Sequence, residues 1–154
     1  MRSVSTFYHG MFDFSLYVLP ELVIRKQDIT SDTEFNANLL TFMGANDFIC
    51  SKITVNNQFY QNGDVIIVGI EDCDNLNVGL IKTILIKNNK VYFATQKYQA
   101  TRNWLQYFEC QKPSYDMCEF IETCKIVDFK PVIMRGTTEN FIFTLHHHVS
   151  YDYQ

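Results

Sequence analysis

The sequence predicts a mostly β fold: a small, curved antiparallel barrel with long loops, preceded by an N-terminal α/β arm. Phe (13) and Tyr (9) are frequent, whereas Ala, the strongest helix former, occurs only four times. Asn-Asn and Asn-Gly pairs separate short apolar runs, and these pairs readily adopt the positive φ angles of tight hairpin turns. With 154 residues, 47% of them hydrophobic and 19% charged, the chain is predicted to be globular.

The first part of the chain, residues 1–47, is predicted to form the arm, and residues 48–150 the barrel-like domain. The stretch SDTEFNANLLTFMGAND predicts a short helix. Ser31 or Asp32 would cap its start with help from Glu34, and Gly44 would end it.

Hairpin signals dominate the next part of the chain. Apolar runs flank Asn56-Asn57 and Gly63-Asp64, which are both typical turn pairs. The predicted strands are 49–55, 58–60 and 65–70. The acidic stretch EDCDNLN (71–77) is predicted to be a solvated loop.

The strongest hairpin signal is VGLIKTILIKNNKVYFATQKY. It predicts strands over 78–87 and 90–98 that are joined by Asn88-Asn89. The period of two places two sets of side chains on opposite faces of the return strand: Val91, Phe93 and Thr95 on one face, and Tyr92, Ala94 and Gln96 on the other.

The sequence signals for secondary structure are weaker after residue 98. Pro113 and scattered aromatic residues predict a long loop with a short strand or helical turn near 103–109. A strand is expected at 118–122. Ile126 to Asp128 should lead to Pro131 at a strand edge or in a one-turn helix. ENFIFTLHHHV is the expected final strand.

A candidate recognition surface lies around the single tryptophan. Trp104 falls in a loop-like stretch beside Arg102 and Tyr107, with Tyr98 just before it. Most aromatic residues should be in the core, but aromatic rings at one end of a small barrel can also hold a cationic ligand. These four residues are the predicted binding residues.

Three consecutive histidines raise the alternative of a metal site. In a strand His146 and His148 share a face and could chelate zinc, but no further ligand stands at a diagnostic spacing. The preferred interpretation is a strand stripe in which His147 is partly buried. No cofactor is predicted.

Charge and motifs limit the function classes. The net charge of −4, without a Lys/Arg cluster, argues against non-specific nucleic-acid binding. The longest apolar runs are too short to span a membrane. Five cysteines without a CxxC pair, and no recognisable signal peptide, predict reduced thiols and an intracellular, nuclear or cytoplasmic protein. No nucleophile or phosphate-loop motif is present, so we expect no enzyme.

Residues 58–133 resemble the opening of BAH (bromo-adjacent homology) domains, which are SH3-like barrels. The likeness rests on a Gly-Asp-hydrophobic strand, a Val-Gly-x-Ile strand, an aromatic strand and a later return segment. In this sequence these are Gly63 to Val68; Val78, Gly79, Ile81 and Ile84; Tyr92, Phe93, Tyr98 and Thr101; and CKIVDFKPVI. The chain has Lys97-Tyr98-Gln99-Ala100 where that family has a basic Tyr-Arg-Pro-Glu stretch.

The consecutive hairpins and the absence of a reactive constellation favour a non-catalytic module of BAH-like or SH3-like type that binds a protein or peptide partner. The resemblance adds chromatin as a candidate setting. The same region, with its ending FIFTLHHHVS, is also similar to the C-terminal β-rich part of uncharacterised transposon-associated animal proteins. That likeness implies a nucleic-acid-associated domain of mobile-element origin. A metal-dependent enzyme that uses the His-x-His pair is the third hypothesis.

Overall fold

The computed structural model describes residues 18–111 and 118–145, and within them the fold is mostly β. One α-helix, α1 (Glu34–Phe42), and two short 3-10 turns (Lys26–Asp28 and Thr123–Lys125) accompany eleven described strands. The strands are β1 (Val18–Arg25), β2 (Phe48–Val55), β3 (Gln58–Gln61), β4 (Val65–Asp72), β5 (Asn75–Lys87), β6 (Lys90–Arg102), β7 (Phe108–Gln111), β8 (Cys118–Glu122), β9 (Asp128–Val132), β10 (Arg135–Gly136) and β11 (Asn140–Phe143).

The described strands form one antiparallel sheet that is not closed into a barrel. Its main path is β1-β2-β5-β6-β7-β11-β10, with β3 beside β2, β4 beside β5, β9 beside β4, and β8 beside β6. The expected barrel closure is therefore not confirmed. Both β5 and β6 are 13 residues long and change neighbours halfway: β5 pairs with β4 and then with β2, and β6 pairs with β8 and then with β7.

Both Asn-Asn turns are confirmed. Asn56 and Asn57 have φ angles of 49° and 71°, and Asn88 and Asn89 have 50° and 63°. Such left-handed conformations at two successive positions match the twist of a two-residue hairpin, and Asn tolerates them better than most residues. Local turn chemistry thus sets the register of β2 with β3 and of β5 with β6.

Two predicted loops are shorter than expected. The loop predicted at 71–77 is reduced to a two-residue turn at Cys73 and Asp74, because β4 runs to Asp72 and β5 starts at Asn75. The loop expected after residue 98 is shorter than predicted, since β6 continues to Arg102 and β7 begins at Phe108. Cross-strand pairing overrides the polar composition of both segments.

Residues before position 47 form both a β-strand and an α-helix, as predicted for the α/β arm. β1 pairs along β2, and α1 begins after an N-cap at Thr33, whose side chain accepts a hydrogen bond from Asn36 N. The cap was expected at Ser31 or Asp32. Glu34 occupies the first turn, and α1 ends before Gly44. The division of the chain at residue 47 stays a prediction.

The long β5–β6 hairpin has three hydrophobic clusters around it. Cluster 1 covers the open end of the hairpin and includes Tyr98; cluster 3 covers the turn end of the same face of β6 and includes Tyr92. Cluster 2 lies on the opposite face and includes Val91 and Phe93. The predicted alternation of faces along β6 is therefore confirmed.

Cluster 3 holds α1 on the sheet. Leu39 of the helix is 1% exposed and packs with Ile49 and Leu85. The Phe42 ring stacks on Phe120 of β8 at 4.2 Å between centroids. Among the described residues no helix has the length and apolar character needed to cross a bilayer.

Candidate functional site: an exposed aromatic turn

The turn that joins β6 to β7, Asn103–Tyr107, carries three exposed apolar side chains; we call it the aromatic turn. Trp104 is 85% exposed, Leu105 52% and Tyr107 36%. Single exposed apolar residues are common on protein surfaces, but three within four positions of one turn form a patch typical of interaction sites.

Asn103 holds the aromatic turn in one shape. Its Oδ1 accepts hydrogen bonds from the backbone N–H groups of Leu105 (2.9 Å) and Tyr107 (3.1 Å). Its Nδ2 donates to Glu109 Oε1 at 3.1 Å, and its backbone N–H donates to Tyr107 O at 2.8 Å. Gln106 takes a left-handed φ of 69° to complete the turn. The turn is therefore preorganised, which lowers the entropy cost of binding.

Core packing anchors both ends of the aromatic turn. Arg102 pairs with Phe108 across the two strands, and its guanidinium lies 5.0 Å from the Phe108 ring centroid. Phe108 is 2% exposed and stacks on Phe143 at 5.3 Å. Arg102 Nη1 also donates to Gln106 Oε1 at 3.3 Å. The exposed rings thus project from a fixed base.

An acidic turn lies directly beside the aromatic turn. It comprises Glu71–Asp74, and Asp74 O accepts a 2.8 Å hydrogen bond from Arg102 N. Asp74 Oδ1 lies 3.7 Å from Arg102 Nε, an ion pair too long for a hydrogen bond. The backbone N–H of Asp74 and the side chain of Asn75 hold the pKa of Asp72 below its usual range, so that carboxylate stays charged.

More negative than positive groups surround the aromatic turn in the described chain. Glu109 adds a carboxylate on the Asn103 side, while Arg102 is offset by Asp74. Across the sheet, Glu109 of β7 pairs with Ile142 of β11, and Ile142 pairs with Arg135 of β10. Arg135 is the next cation in this row of paired residues, two strands away from Glu109. The sequence showed the acidic stretch but not its position, because the adjacency depends on the pairing of β4, β5 and β6.

The four predicted binding residues do not all come together. Arg102, Trp104 and Tyr107 share the aromatic turn and its base. Tyr98 lies apart in cluster 1, 2% exposed, and its hydroxyl donates to Thr138 O at 2.6 Å. Sequence reasoning missed Asn103, although an Asn followed by exposed residues is a recognisable side-chain turn signal.

The predicted metal pair, His146 and His148, lies outside the described residues. Within the described ranges no group of three or more His, Cys, Asp or Glu side chains is placed to hold a metal ion. All five cysteines are free thiols; Cys50 and Cys110 are buried, and Cys73 and Cys124 are exposed.

Comparison with known proteins gives no match: no family model, no curated protein and no solved structure is similar to this chain.

Proposed function

We propose that this chain is a non-catalytic interaction module that binds an extended, basic segment of a protein partner on the aromatic turn. The observation that carries the proposal is Trp104, 85% exposed on a turn that is fixed by hydrogen bonds and anchored in the core. Tryptophan is one of the residue types enriched among the few side chains that dominate binding energy at protein interfaces.

The partner's charge follows from the neighbours of the turn. The carboxylates of Asp72, Asp74 and Glu109 favour Lys and Arg side chains by electrostatic complementarity. They disfavour a nucleic-acid backbone at the same place. A histone tail has the required basic, extended character, so the chromatin-associated version and the BAH-like barrel assignment belong to this proposal.

The single tryptophan provides the test. Histone-tail peptides, unmodified and modified, are titrated into the protein while Trp104 fluorescence and calorimetric heat are recorded. Binding should shift Trp104 emission to shorter wavelength, since the indole leaves water. Failure of every histone peptide removes the chromatin version.

The broader proposal is tested by selecting peptides from a random display library. Selected peptides should be rich in Lys and Arg and should lose binding to W104A. The matched control is I133A, which truncates another exposed apolar side chain, 68% exposed, on a different segment. Both variants should change the free energy of unfolding by less than about 0.5 kcal/mol. Peptides that bind W104A and the unchanged protein equally, or no selected peptides at all, would refute the proposal.

A further inference from the structure

A cleft of about 180 Å³ lies beside one face of β6, and residues of α1 and β6 line it. Tyr92 and Tyr98 point to this same face, the first beneath α1 in cluster 3 and the second in cluster 1. Gln96 stands between them. The cleft therefore lies between α1 and this face of β6, whereas the aromatic turn follows the end of β6. Its lining residues are Glu34, Phe35, Asn38, Lys82, Gln96, Tyr98, Cys118 and Thr138.

Gln96 lies in this cleft with an unused donor. Its side chain is 6% exposed, and its Nε2 has no hydrogen-bond partner among the described residues. A buried amide N–H without an acceptor is costly, so such a group in a native protein calls for an explanation. Rotation about the terminal torsion of Gln is broad and would bring the amide to an acceptor placed in the cleft.

Lys82 brings a cation to the cleft because of a β-bulge. Ile81 pairs with Thr95 and Thr83 pairs with Ala94, which leaves Lys82 without a cross-strand residue. Bulges redirect side chains and are frequent beside functional sites. Burial raises the pKa of Cys118 to about 11, and the positive charge of Lys82 partly offsets that rise. The thiol is therefore neutral at pH 7, so it does not form an ion pair with Lys82.

Glu34 brings the opposite charge from the first turn of α1. Neither Glu34 nor Lys82 forms an ion pair with any described residue, so their charged atoms are more than 4.0 Å apart. The hydroxyl of Tyr98 is already bonded to Thr138 O. The cleft thus presents one cation, one anion and the buried amide donor of Gln96, with the exposed amide of Asn38 at its edge and the ring of Phe35 as an apolar wall.

We infer that this cleft binds a small zwitterion of the α-amino-acid class. The ligand carboxylate would lie at Lys82 Nζ and accept from Gln96 Nε2, and the ligand ammonium would face Glu34. Pockets for drug-sized ligands measure roughly 300–1,000 Å³, so this cleft suits only a small molecule. The inference stands apart from the proposed peptide binding at the aromatic turn.

The test is a titration of the ¹⁵N-labelled protein with L-alanine, followed by the side-chain amide resonances of Gln96. Saturable shifts are expected at Gln96 and in the first turn of α1. Acetate and methylammonium, which carry one charge each, should bind at least about tenfold more weakly, since each lacks one charge-assisted contact. K82M, E34Q and Q96M should each weaken alanine binding by about tenfold or more.

The control variant is K52M, which removes an exposed lysine of β2 and should leave binding unchanged. Lys82 and Glu34 are exposed, so their variants remain informative even if Q96M fails to fold. Absence of saturable shifts at Gln96, equal binding of acetate and alanine, or unaffected binding in K82M would each overturn the inference.

Discussion

The hydroxyl of Tyr98 donates a 2.6 Å hydrogen bond to Thr138 O, and its ring lies edge-on to Phe141 at 5.0 Å. Trp104, six positions later, is 85% exposed. The sequence alone grouped both as recognition residues, because both are aromatic and close in the chain. They differ because Tyr98 lies on the face of β6 that is covered by cluster 1, which includes residues of the distant strand β11, whereas Trp104 lies in the turn after β6.

Tyr98 should therefore act in stability and not in peptide binding at the aromatic turn. We expect Y98F to lower the free energy of unfolding by about 1 kcal/mol, since it removes one intramolecular hydrogen bond and keeps the ring packing. Urea denaturation measures the change. Y107F is the matched control because Tyr107 is exposed at the aromatic turn, and its stability should be unchanged. Equal stability of Y98F and the unchanged protein would show that this hydrogen bond contributes nothing.

At the scale of elements, the hairpins were the most predictable part of the fold. The pairs Asn56-Asn57 and Asn88-Asn89 determine where the chain reverses, and the period of two determines which side chains share a face. The bulge at Lys82 was not predictable from the same information. A bulge appears only when two strands are paired, and no residue in GLIKTIL marks the extra position by its turn chemistry.

The β5–β6 turn provides a prediction about element stability. Left-handed backbone costs a residue with a Cβ roughly 1–2 kcal/mol, and Asn pays less of this cost than Ala. We therefore expect N88A and N89A each to lower the free energy of unfolding by about 1 kcal/mol. N89G should leave it unchanged or raise it, since Asn-Gly is the preferred pair for this turn.

The control for these variants is N46A. Asn46 is exposed and is not among the positive-φ residues, so Ala has no conformational penalty there. The midpoints of urea denaturation of N88A, N89A, N89G and N46A measure these changes in stability. If N46A and N88A were equally destabilising, the loss would come from the Asn side chain in general and not from the left-handed turn.

At the scale of the whole molecule, the sequence predicted a mostly β protein but not the path of its sheet. Barrel closure was expected because apolar residues appeared on both faces of the strands. In the structure two faces of one long hairpin are buried by different partners, cluster 2 on one side and clusters 1 and 3 on the other. Local alternation cannot distinguish a closed sheet from an open sheet covered on both faces, since both bury the same residues.

Burial of ionisable groups in these clusters makes stability depend on pH. Burial raises the pKa of Cys50 in cluster 2 and of Cys110 in cluster 1 to about 12, from 9.0 in an exposed thiol. The pKa of Tyr60 is raised from 10.0 to about 12, mainly by burial and to a smaller extent by the negative charge of Asp128. All three groups are neutral in the folded protein at pH 7.

The direction of the pH effect follows from proton binding. Above pH 9 the unfolded chain releases thiol protons that the folded chain keeps, so the unfolded state binds fewer protons and stability falls as pH rises. We expect the contribution of these thiols to the free energy of unfolding to be nearly constant between pH 7 and 8. It should then decrease progressively between pH 9 and 12. Urea denaturation under reducing conditions at several pH values measures this slope.

Two alanine variants separate the buried thiols from other alkaline effects. C110A lowers stability at every pH but should make the decline above pH 9 shallower, because one group with different folded and unfolded pKa values is gone. C73A removes a thiol that is exposed on the acidic turn and is the control variant, measured in the same way. An identical slope in C110A and the unchanged protein would mean that the alkaline decline arises elsewhere than in the cluster 1 thiol.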